Sequence, residues 1–138
     1  MTQNRLTRLI AAGAVGLAGL GAALAIPVTS ASAATTNPIN INAKCSGTSV
    51  ANLQVQREDT GKLSVDFGVD MARHTAGVRW GVGANDNGSG FIHQTVKTIS
   101  DGSFSVTRVV APKPGVNTVI ARAVNPATHE TCTISGSV

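Results

Sequence analysis

From residue 39 onward the chain alternates apolar and polar positions in short runs. The clearest is Leu63-Ser64-Val65-Asp66-Phe67-Gly68-Val69-Asp70, whose odd-numbered positions are all apolar. A repeat of two is the side-chain period of a β-strand, so this segment is predicted to be half buried, with Asp66 and Asp70 facing water. The same pattern predicts strands over 39–45, 53–57, 78–84, 91–98, 103–110, 117–124 and 131–135. No dozen-residue window holds apolar residues at helical spacing without a Gly or Pro breaking it. Turn chemistry separates the runs. Residues 58–62 and 100–102 predict short hairpin loops, and Asn85-Asp86-Asn87-Gly88-Ser89-Gly90 a longer polar one. Pro112-Lys113-Pro114-Gly115 predicts a stiff crossing, and Asn125-Pro126 a turn before the last strand. Seven to eight such strands predict an all-β domain over 39–138, an Ig-like antiparallel β-sandwich, with a barrel as the rival architecture. From Ala34 on, fourteen Val and twelve Thr stand against two Leu and two Glu, which favours sheet over helix.

The residues before this domain follow a different pattern. Arg5 and Arg8 precede an apolar run from Leu9 to Ile26, then Pro27 and small residues in which Ala31 and Ala33 occupy an A-x-A site. This predicts a secretory signal peptide over 1–33, cut between Ala33 and Ala34, with 34–38 as a disordered linker. The run is long enough to raise the alternative of a permanent membrane anchor. Its Ala and Gly content makes insertion weak, however, and the cleavage site follows directly, so no permanent anchor is expected. The expected location is secreted and extracellular.

Export bears on the cysteines. Cys45 and Cys132, near the two ends of the domain, are the only thiols, and an oxidising compartment predicts a disulfide joining the first and last strands. Removing Arg5 and Arg8 from the eleven basic residues leaves nine against seven acids, a net charge of +2 for the exported part. These charges are scattered, and three Phe, one Trp and no Tyr supply little for base stacking. Nucleic acid is therefore not an expected partner.

One stretch of the chain carries a resemblance: Trp80, Asn87-Gly88, Gly102 to Val106, Arg108, Thr118 to Ala123, Asn125, Thr128 and Glu130-Thr131-Cys132. Together these resemble a loose group of small secreted actinobacterial proteins with an Ala-rich leader and a cysteine near each end of an Ig-like domain. The resemblance implies a fold and a location. It brings no established activity and no catalytic residue.

Candidate chemistry is sparse. Trp80 shares a strand face with Val78, Val82 and Ala84, which predicts a core position over an exposed sugar platform. Arg79 lies on the other face beside Gly81 and Gly83, where two bare positions let a partner's backbone or a flat ligand approach. Asn85, Asp86 and Asn87 form the densest polar segment, suited to a glycan contact, while a calcium site wants more oxygens than it offers. Pro112, Lys113 and Pro114 form a pre-ordered loop suited to binding. His74, His93 and His129 lie in separate segments, and no G-x-S-x-G or HExxH pattern is present. No cofactor or metal is expected, and the chain is not expected to be an enzyme. The expected function is a non-catalytic binding module for an unknown secreted protein. An envelope or carbohydrate binder, or a structural surface protein, is the alternative.

Overall fold

The computed structural model describes residues 38–138. The leader, its cleavage point at Ala33/Ala34 and the linker up to residue 37 lie outside the described residues. The alternation resolves into eight strands: β1 (Ile39–Lys44), β2 (Val50–Arg57), β3 (Leu63–Asp70), β4 (Arg79–Asp86), β5 (Ser89–Lys97), β6 (Ser103–Val110), β7 (Thr118–Val124) and β8 (Thr131–Ser137). They form two four-stranded sheets, ordered β1-β2-β3-β6 and β5-β4-β7-β8, and every pairing is antiparallel. The neighbours β3·β6 and β4·β7 are the pairings of an immunoglobulin-like Greek key, with β1 added at one edge.

The period-two pattern places the core. Leu53, Val55, Leu63, Val65, Phe67, Trp80, Val119 and Ala121 are fully buried between the sheets. Phe104 of β6 stands between the rings of Phe67 and Trp80. Its centroid lies 6.4 Å from that of Phe67, edge-on, and 5.9 Å from that of Trp80 on the facing sheet. These aromatic contacts therefore cross from one layer to the other.

Two turns differ from the sequence expectation. The predicted loop 85–90 is mostly strand: Asp86 pairs with Ser89, leaving a two-residue turn at Asn87 (φ 46°) and Gly88 (φ 83°). Left-handed backbone at both positions is the tight hairpin that Asn-Gly favours, because its twist matches that of the flanking strands. Phe91 is the extra residue of a β-bulge, since Ala84 pairs with Ile92 but Asn85 with Gly90. The second difference is at Ser100–Gly102, which does not close a hairpin within one sheet. It carries the chain from β5 in one sheet to β6 in the other.

Cys45, the residue after β1, is bonded to Cys132 in β8, so the disulfide joins the first and last strands across the sandwich. It closes the lateral edge at which β1 and β8 are the outermost strands. The opposite edge, between β5 and β6, is spanned by the Arg108 guanidinium donating to Gln94 Oε1 at 2.7 Å. That exposed hydrogen bond is a far weaker closure than a covalent one. The disulfide spans 87 residues of sequence, a loop for which the chain-entropy model gives about 4.6 kcal/mol, an upper figure for most bridges. Reduction, or Cys45→Ala with Cys132→Ala, is expected to lower the melting temperature by roughly 10–20 °C for a domain of this size, measured by scanning calorimetry. An unchanged melt would mean that the bridge does not constrain the unfolded chain.

Candidate functional site

The sequence-predicted residues fall into two groups on β4, separated by its length. Arg79 opens the strand, whereas Asn85 and Asp86 end it, about 20 Å away at strand rise. Asn87, Pro112, Lys113 and Pro114 join the second group, because the β6–β7 crossing passes beside the Asn87-Gly88 turn. Lys113 makes the connection: its ammonium donates to Asp86 O at 3.0 Å, Asn87 O at 3.4 Å and Ser89 Oγ at 2.7 Å. The side chain of Asn87 is also engaged, donating to Val116 O at 3.0 Å and accepting from Thr118 N at 3.1 Å. Asp86 is buried, and neither of its carboxylate oxygens has a hydrogen-bond partner. The Lys113 ammonium is held on Asp86's backbone carbonyl and, among the described residues, forms no ion pair with the carboxylate.

The organiser of this end is Asn117, which the pattern gives only as the first residue of a strand. Fully buried, it accepts from Lys113 N at 2.7 Å and donates to Lys113 O and Gly115 O at 3.1 Å each. Asn125 does similar work at the other end of β7, accepting from Ala127 N and Thr128 N. For Asn125 the signal was available, since an Asn beside Pro at a strand boundary is a loop-closing residue; Asn117, between Val116 and Thr118, carries no such mark. Apart from the Asp86 carboxylate, the polar end therefore spends its hydrogen-bonding groups on itself.

The outer face of β5-β4-β7 is arranged differently. With Trp80, Val82 and Ala84 turned inward, β4 shows Arg79, Gly81, Gly83 and Asn85 outward. Gly83 lies between His93 of β5 and Arg122 of β7, and Gly81 between Thr95 and Val124. The two glycines form the floor of a cleft of about 620 Å³ walled by those four side chains. Arg79 sits beyond its end, opposite Lys97. Trp80 is fully buried beneath the floor, so it offers no stacking surface.

Nothing among the described residues requires these two glycines. A Cβ on Gly81 would come no nearer than 3.9 Å to Val124 O, and one on Gly83 no nearer than 3.6 Å to Ile92 O, both ordinary contacts. Neither has the left-handed backbone that favours glycine. The β-bulge also lies elsewhere, at Phe91. Gly102 is the contrasting case: at φ +83° its Cβ would lie 2.8 Å from Arg73 O. Glycine inside a strand destabilises it by roughly 0.5–1 kcal/mol relative to alanine. What Gly81 and Gly83 provide in exchange is open space on the outer surface.

The remaining features lie at the disulfide end. His74 Nδ1 is 2.6 Å from Asp101 O, and His129 occupies a left-handed turn at φ 60°. His93 is on the sheet face, so the three histidines do not form one cluster. Ser103 donates to Asp101 through its hydroxyl at 2.6 Å and its amide at 2.8 Å, which holds that carboxyl below its ordinary value of 3.8. A lowered carboxylate stabilises the fold above the ordinary value, and that contribution is lost as pH falls through the lowered one. Among the described residues no group of three His, Cys, Asp or Glu side chains is placed to hold a metal ion.

Fold and face together define an immunoglobulin-like sandwich with an open, glycine-floored sheet surface. Comparison with known protein families, with curated proteins and with solved structures finds no match for this chain.

Two stability measurements follow. Asn117→Ala leaves the Lys113 amide without its acceptor and is expected to cost about 2 kcal/mol in urea unfolding. In the same assay Gly81→Ala and Gly83→Ala are expected to match or exceed the parent, by up to about 1 kcal/mol each, while Gly102→Ala loses about 2 kcal/mol or more. Destabilisation by alanine at Gly81 or Gly83 would show that the fold itself needs those glycines.

Proposed function

We propose that this chain is an exported, non-catalytic interaction module that recognises another secreted protein through the outer face of β5-β4-β7. One observation carries the assignment: Gly81 and Gly83 keep a cleft open although each has room for a side chain. Flanking cations and the absence of internal hydrogen bonds from Arg79 and Arg122 among those of the described residues leave these groups free for a partner. The polar end is the weaker candidate, since Lys113, Asn87 and Asn117 are committed to internal bonds. Export is supported by the leader pattern and by a disulfide that suits an oxidising compartment. A carbohydrate-binding role is less well supported, because the single Trp is in the core.

The test is a capture experiment in which the immobilised protein is offered its producer's culture supernatant and bound proteins are identified by mass spectrometry. A specific secreted protein should be retained by the parent and by Pro114→Ala, and lost from the cleft-filling variants Gly81→Leu and Gly83→Leu. Retention by the leucine variants equal to that of the parent would contradict the assignment, and so would loss confined to Pro114→Ala.

A further inference from the structure

We propose that the cleft takes a single extended acidic segment of the partner protein, with carboxylates four residues apart. This rests on the assignment of the face above and supplies its recognition chemistry.

Charge is the first ground. The outer positions of β4, β5, β7 and β8 include the cations Arg79, Lys97 and Arg122, and no acid. Exposed like charges with no counter-ion on their own face favour an anionic partner. Shape is the second. The cleft walls stand on β5 and β7, the two neighbours of β4, so they are two strand spacings apart, about 9.5 Å between strand axes. Once the wall side chains take their share, that leaves room for one extended chain and not for a sheet. Periodicity is the third. Arg79 with Lys97 forms one cationic row, and Arg122, facing His93 across Gly83, supplies the next cation four residues further along β4. That separation is about 13 Å at strand rise, which in an extended peptide is the distance between positions i and i+4 on one face.

Two other occupants fit less well. An anionic glycan would find no aromatic platform, because Trp80 is buried beneath the floor. A second copy could offer Asp66 and Asp70, which are four residues apart on the outer side of β3. That strand, however, is hydrogen-bonded to β2 on one side and β6 on the other, and it cannot enter a cleft one chain wide.

The purified protein is titrated by fluorescence anisotropy with a labelled peptide, TETVTETVTE, and with its uncharged counterpart, TQTVTQTVTQ. The acidic peptide should bind at least tenfold tighter than the neutral one. Arg79→Gln combined with Arg122→Gln should weaken it roughly tenfold, as should a rise from low to physiological salt. Gly83→Leu should abolish binding with no loss of thermal stability. Failure of the acidic peptide to bind, equal affinity for both peptides, or indifference to the double arginine variant would overturn the acidic segment. If partner capture is still lost in Gly83→Leu, the face then stands and only its chemistry is wrong. Polygalacturonate binding in place of the peptide, with the same dependence on the arginines, would overturn it in favour of a glycan. Concentration-dependent mass removed by Asp66→Asn and Asp70→Asn would do so in favour of a second copy.

Discussion

The indole of Trp80, fully buried against Phe104, fixes the phase of β4, and the character of the outer surface follows from that phase. A slip of one residue would expose Trp80 and turn Gly81 and Gly83 inward. Losing a buried Trp costs about 3–5 kcal/mol, several times the roughly 1 kcal/mol at stake in each glycine. The core therefore decides the register without help from the surface. That leaves the outward positions of β4 free to be small, and the cleft is a consequence of how firmly its underside is packed.

The same division of labour runs through the rest of the sandwich. Covalent closure lies on the β1/β8 edge and at the end holding Cys45 and Cys132, whereas the opposite end is held by hydrogen bonds of Asn117, Lys113 and Asn87. Both ends are thereby pinned, which limits how far the sheet between them can flex. A sheet so held is a poor adaptor but a good template: side chains on β5 and β7 keep fixed spacing, and a partner that matches it need not order the face on binding.

Much of this was legible in the sequence. The patterns at Leu63–Asp70 and Ser103–Val110 mark β3 and β6 to the residue: β3 has a clean apolar face, and β6, whose apolar face is interrupted by Arg108, is bounded by Gly102 on one side and Pro112 on the other. The inward position of Trp80 follows from its shared face with Val78, Val82 and Ala84. Residues 85–90 were harder, since polar composition suggests a loop, while the Asn-Gly turn lets strand pairing continue to Asp86 and Ser89. The change of sheet at Ser100–Gly102 leaves no local mark, because a tight turn serves equally within a sheet or between two. Arg79, Gly81 and Gly83 were visible as a bare strand face. Their neighbours His93, Thr95, Arg122 and Val124 were not, since cross-strand partners are set by register over the whole sheet. The internal use of Lys113 was likewise hidden, as it depends on two loops that are distant in sequence meeting at one end.

The most direct measurement is amide chemical-shift mapping of the isotope-labelled protein titrated with the partner that it captures. The account predicts that the perturbed amides cluster on Gly81, Gly83, Thr95 and Arg122, with the ends of the sandwich little changed. Shifts centred on Asn87 and the Pro112–Gly115 crossing, or on the disulfide end, with the cleft undisturbed, would contradict it.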